Sequence, residues 1–118
     1  MYRVRYARRS SGRYPAKDFL DDLETKDGNS WDKFMRAFEL FRDKGPQAVA
    51  GLYKALQTQS GVVQFTIWKY SILGFRVGDD VFLTNGFKKD QNETPPGQLK
   101  RAHAIKNEHL QMTRGENK

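Results

Sequence analysis

The stretch "VVQFTIWKYSILGFRVGDDVFLTNGF", residues 62–87, decides the fold. It holds three runs of β-branched and aromatic residues, "VVQFTI", "YSILGFRV" and "DVFLTNGF", with only a turn's worth of polar residues between them. Gly78-Asp79-Asp80 makes a tight connection between the last two runs, and the Trp68-Lys69 pair lies near the first turn. Strands this closely linked pair antiparallel, because a parallel return needs a long crossover. A three-stranded meander is therefore the expected centre of the molecule.

Outward from this centre, Tyr2, Val4 and Tyr6 alternate with Arg3, Arg5 and Ala7, the period of a half-buried strand. Pro15 opens a short helix with Phe19, Leu20 and Leu23 as its apolar positions, and "TKDGNS" breaks it. Ser30 or Asn29 is the expected cap of a second helix. There Trp31, Phe34, Met35, Phe38 and Phe41 recur at spacings of three and four until Lys44-Gly45-Pro46. The stretch "PQAVAGLYKALQTQSG" reads as a loop or a short helical turn. Downstream of the meander, Asp90, Gln91 and Asn92 are turn residues, and Thr94 is placed to cap a helix that begins at Pro95. That helix is expected to run to about Gln111, with a frayed polar tail from about 112. The whole is read as one α+β domain, residues 1–118, in the order strand-helix-helix-strand-strand-strand-helix. Its mainly antiparallel sheet would pack one face on helices and leave the other concave, polar and functional. The two intervening helices allow the first strand to lie parallel to a partner.

Composition narrows the function classes. The chain has no cysteine, which excludes a disulfide framework and a thiolate zinc site. No apolar run approaches the ~18 residues of a membrane-spanning helix, and the N-terminal "MYRVRYARR" is not a signal peptide, so a cytoplasmic protein is expected. The net charge is +7, unevenly spread. Residues 1–14 carry five arginines and no acid, residues 15–60 seven basic and eight acidic groups, and residues 61–118 nine basic and six acidic groups. Positive charge gathered at the two ends of the chain favours a polyanionic partner. His103 and His109 lie six apart, about 120° around a helix axis, so they are not a metal pair.

The element order and the stretch "NGFKKDQNETPPGQLKRA", residues 85–102, resemble the RelE/ParE toxin superfamily, most of all its HigB-like, phage-associated branch. The residues that carry the resemblance are Gly86-Phe87, Lys88-Lys89, Thr94-Pro95, Gln98-Leu99 and Ala102. It implies a RelE-like fold and a toxin of a type II toxin–antitoxin system. The implied activity is metal-independent, ribosome-dependent mRNA cleavage, with no cofactor. The implied partners are mRNA, the ribosome and a cognate antitoxin of helix-turn-helix type, with no membrane. Some relatives poison DNA gyrase instead, and a cleavage-deficient RNA- or partner-binding module of the same fold is a further alternative. The chain departs from the family pattern at four places. Gln64 stands where an acid is usual, Thr66 and Ser71 stand where arginines are usual, and Asp90 replaces a second loop lysine.

Cleavage of RNA by its own 2′-hydroxyl needs a base for that proton, an acid for the leaving 5′-oxygen and cations for the phosphorane. Arg76, Lys88, Lys89 and Tyr70 are the catalytic candidates, and Arg3, Arg5, Lys69 and His103 the nucleic-acid contacts. Strand parity places Ser71, Leu73, Phe75 and Val77 on the core face, and Tyr70 and Arg76 on the polar face with the paired lysines.

Overall fold

The computed structural model describes residues 1–56, 61–89 and 94–116. It is an α+β fold in which helices pack on both faces of a five-stranded mixed sheet. The strands are β1 (Arg3–Tyr6), β2 (Tyr53–Ala55), β3 (Val62–Ile67), β4 (Tyr70–Val77) and β5 (Asp80–Lys88), in the spatial order β1-β5-β4-β3-β2. β1 pairs parallel to β5, and the other three pairings are antiparallel.

The helices are α1 (Pro15–Lys26), α2 (Gly28–Lys44) and α3 (Pro96–Glu116), and a 3₁₀ turn occupies Pro46–Val49. Asp27 alone joins the first two helices. Its carboxylate accepts from the Ser30 backbone N–H at 3.2 Å and the Ser30 hydroxyl at 2.9 Å. Asp27, rather than Ser30 or Asn29, is thus the cap of α2, because a carboxylate there meets both the free amides and the positive end of the helix. The Ser30 bonds hold its pKa below the ordinary range.

The aromatic stripe of α2 builds the main core. Phe65 of β3 is its hub, with ring centroids 5.1 Å from Phe38, 5.8 Å from Phe41 and 5.0 Å from Tyr53. Leu20 and Leu23 of α1 and Ile72, Val81 and Leu83 of the sheet complete it. The contact of Tyr53 with this hub accounts for β2, a strand absent from the sequence reading. It is only three residues long, and Lys54 and Ala55 are exposed, so no apolar alternation marks it.

The second face of the sheet is not open. α3 lies across it, burying Phe75 and Ile105 in one cluster and Leu73, Phe87 and Ala102 in another. The expectation of a free concave face is corrected accordingly, and so is the strand order, which gains β2. α3 also begins and ends later than expected, and continues through the stretch read as a frayed tail, where Thr113 Oγ1 donates to the His109 carbonyl at 2.9 Å. Asp90, Gln91 and Asn92, read as turn residues, lie outside the described residues. Among the described residues no helix is long and apolar enough to cross a membrane.

Two backbone features set the geometry. Between Leu73 and Gly74 the β4–β5 register slips, so Thr84 is an extra, bulged residue. A side chain at Gly74 would meet the Phe82 carbonyl oxygen at 2.7 Å, so glycine is required where the bulged strand comes close. The β3–β4 turn is the other feature: Trp68 takes φ 53°, a left-handed value that hairpin turns ordinarily give to Gly, Asn or Asp.

α3 is clamped to the β1–α1 connection by Glu108. It accepts from the Arg9 guanidinium at 2.6 Å, from the Ser10 hydroxyl at 2.9 Å and from the Ser10 backbone N–H at 2.9 Å. These bonds hold its pKa down at about 2, below the usual 4.5. A depressed carboxylate stabilises the fold in full above its unfolded value, and that stabilisation disappears as pH falls through about 2. Glu108→Gln should cost about 1 kcal/mol at pH 7 and flatten the loss of stability between about pH 4.5 and 2, both read from urea titrations. On the other face, a side chain at Gly86 would collide with the Phe19 ring of α1. Gly86→Ala should therefore cost roughly 1–3 kcal/mol, and less in a Phe19→Ala background, a coupling that a double-mutant cycle measures.

Candidate nucleic-acid interface

The bulge sorts the sequence-chosen residues onto two faces. Before it, Val81 and Leu83 point into the α1/α2 core and Phe82 points towards α3. After it the parity is reversed. Asn85 and Phe87 face α3, while Gly86 lies against Phe19 of α1. Alternation then sends Lys88 to the α1 face, opposite Tyr70, and Lys89 to the α3 face. The two lysines do not form one rim, which corrects the paired reading.

Tyr70 and Arg76 are also on the helical face and not on a polar one. Tyr70 packs edge-on against Phe19 at 6.3 Å. Arg76 donates from Nε to the Gly78 carbonyl at 2.9 Å and covers the Tyr2 ring at 5.4 Å. Arg76 lies six residues along β4 from the Tyr70–Lys88 pair, about 20 Å at a strand's rise, so it does not join the lysines. The parity argument failed because α1 and α2 cover the face it had assigned to solvent. Of the remaining candidates, Arg3 is engaged by Asp80 through two bonds of 2.7 and 3.1 Å. Arg5 is exposed beside a hollow of about 310 Å³ that Arg8 and His109 also line. His103 is half-buried on α3, one turn beyond Leu99. Lys69 lies over the Trp68 ring at 4.3 Å.

The α3 face instead carries a polar cluster built from Gln64, Thr66 and Ser71. Gln64 of β3 is wholly buried. Its amide nitrogen donates to Thr66 Oγ1 at 3.0 Å and Ser71 Oγ at 3.1 Å, and the two hydroxyl oxygens lie 3.0 Å apart. Its amide oxygen accepts from Thr94 Oγ1 at 2.6 Å, so Thr94 anchors the start of α3 instead of capping it. Both amide protons of Gln64 are spent on the hydroxyls, and a single O–H joins the hydroxyls to each other. One hydroxyl proton is therefore left over for a third group. Ser71 is fully buried and Thr66 only half-buried, so Thr66 is the one positioned to offer it outward.

Lysines flank this cluster on either side. Lys54 of β2 is the direct cross-strand partner of Gln64, and Lys89 lies two residues after Phe87, just past the end of β5. Burial lowers the Lys89 pKa from its ordinary 10.5, and the positive charge of Lys54 lowers it further. Lys54 was missed in the sequence because β2 was missed. The signal that locates it is Tyr53, whose aromatic contact starts the strand. The family-like residues near residue 98 are structural supports: Asn85 Nδ2 donates to Gln98 Oε1 at 3.0 Å, and Ala102 packs on Leu73 and Phe87.

The arrangement offers one amine with a reduced hold on its proton, Lys89, a second amine, Lys54, close enough to act on it, and the Thr66 hydroxyl of the cluster. That is a set suited to a phosphodiester. No family model matches the chain, and no curated protein matches it significantly.

Lys54→Met should raise the Lys89 pKa back towards 10.5, followed by NMR titration of the lysine side-chain carbons. A folded-state pKa below the unfolded one means that ionised Lys89 opposes folding at neutral pH, a penalty that fades as pH rises towards 10.5. Lys54→Met should reduce that penalty. An unmoved Lys89 titration would show that the two amines do not sense each other.

Proposed function

We propose that the chain is a toxin-like, RelE/ParE-related endoribonuclease of the HigB-like branch, acting on mRNA at the ribosome and held in check by a small antitoxin. The observation that carries this reading is the pair of amines, Lys54 and Lys89, flanking the buried Gln64–Thr66–Ser71 cluster beside the start of α3. In this reading Lys89, whose ammonium form is disfavoured by burial and by Lys54, takes the proton of the ribose 2′-hydroxyl. The 2′-oxygen attacks the adjacent phosphorus, the bond to the 5′-oxygen breaks, and a 2′,3′-cyclic phosphate and a 5′-hydroxyl result. Lys54 stabilises the charge on the phosphorane and protonates the departing oxygen. Thr66 donates its spare proton to a non-bridging oxygen. Lys88 and Lys69, on the neighbouring face, hold the backbone of the strand as it leaves.

A second reading has its own support. Where related toxins carry arginines, Thr66 and Ser71 form a neutral network that holds a ligand without adding charge. A binding module that grips RNA and does not cut it fits that feature.

Induced expression in a bacterium separates the two. The nuclease reading expects growth arrest and fragmented mRNA, with Lys89→Ala or Lys54→Ala lowering cleavage by about 10²-fold or more. Arg76→Ala, at the far end of β4, should leave cleavage unchanged. Intact transcripts with salt-dependent RNA binding would select the binding module, and intact transcripts without RNA binding would remove both.

A further inference from the structure

The most exposed aromatic side chain of the described residues sits in the turn that joins β3 to β4. Trp68 is 74% exposed at the tip of the β3–β4 turn and holds a left-handed φ of 53°. A tryptophan gains nothing for stability at such a place. It exposes a large apolar ring, and it takes a backbone conformation that Gly, Asn or Asp would adopt more readily.

Its surroundings are specific. Lys69 stacks its ammonium over the ring at 4.3 Å. Beside the ring is a hollow of about 360 Å³, lined by Asn29, Ser30, Lys33, Leu52 and Ile67. Asp27 also lines the hollow and senses the charges of Lys69 and Lys33. The backbone N–H of Lys89 donates to the Lys69 carbonyl, so this turn is bonded directly to the segment that presents the candidate site.

We infer that Trp68 and the adjoining hollow form a stacking site for one unpaired base of a single-stranded RNA. The ring supplies the platform, the Asn29 amide offers both a donor and an acceptor to a base edge, and Lys33 and Lys69 meet the phosphates on either side. A protein-binding anchor would need a contiguous apolar surround, whereas here the exposed aliphatic neighbour is Leu52, at 38% exposure, among charged and amide groups. The inference takes the identity of the polymer from the proposed function and nothing from its chemistry, so it holds for the cutting and the non-cutting readings alike.

The test is fluorescence anisotropy with a labelled adenosine octaribonucleotide and a matching abasic octamer. Trp68→Ala should weaken binding of the octaribonucleotide about tenfold, while Trp68→Phe stays within about threefold of wild type. The salt slope should be the same for all three proteins, and the abasic octamer should not distinguish them. Wild-type affinity of Trp68→Ala for the octaribonucleotide would overturn the inference, as would an equal loss on the abasic chain. Retained RNA affinity with lost ribosome binding would assign Trp68 to a protein contact and also overturn it. Loss of cleavage in Lys89→Ala bears on the lysine site alone, so the two proposals fail separately.

Discussion

One extra residue in one strand governs how this molecule presents its chemistry. Side chains on a strand alternate with a period of two, so a single insertion exchanges the faces of everything that follows. Thr84 is that insertion. It sends Asn85 and Phe87 to α3 and brings Lys89 to the side where Lys54 stands, while Lys88 goes to the opposite side. The bulge is held by its own bonds. Thr84 Oγ1 donates to the Asn85 side chain at 2.7 Å and lies 3.1 Å from the Leu73 carbonyl, and Gly74 leaves room for the close approach of Phe82. A larger residue at position 74 would displace the backbone and disturb every later residue of β5.

The Gln64 cluster illustrates a second economy. Buried polar groups destabilise unless they are bonded, and those that are bonded fix one arrangement among many. Gln64 ties β3 to β4 through Ser71 and to the segment leading into α3 through Thr94, two residues before the helix. The same bonds that satisfy it also set the register of β3 on β4 and the position at which the helix departs.

Much of the fold could be read in the chain, because it depends on strong local periodicity. The aromatic spacing of residues 31–41 and the three apolar runs of residues 62–87 have one satisfactory interpretation each, and the structure places α2, β3, β4 and β5 there. What escaped was whatever depends on register or on distant partners. β2 is made by the contact of Tyr53 with Phe41 and Phe65, and no pattern in "YKA" announces it. Parity along β4 grouped Tyr70 with Arg76, but nothing in the strand shows that α1 and α2 cover their face, and the bulge in β5, which leaves no mark in composition, separated Lys88 from Lys89. The residues of the loop motif have mostly structural work in the fold. Gln98 and Ala102 dock the helix, and of the motif only Lys89 and Thr94 reach the polar cluster.

The parallel edge of the sheet has a consequence for how the chain is made. Arg3 is bonded to Asp80, 77 residues away, and β1 finds its hydrogen-bonding partner only in β5. Synthesis proceeds from the N-terminal end, so β1 emerges first and stays without its mate until nearly the whole sheet has been translated. Its alternating arginines keep that waiting strand charged and discourage it from pairing with a neighbouring nascent chain. Closure across so long a loop is slow compared with the local hairpins, which makes the docking of β1 a late event in folding.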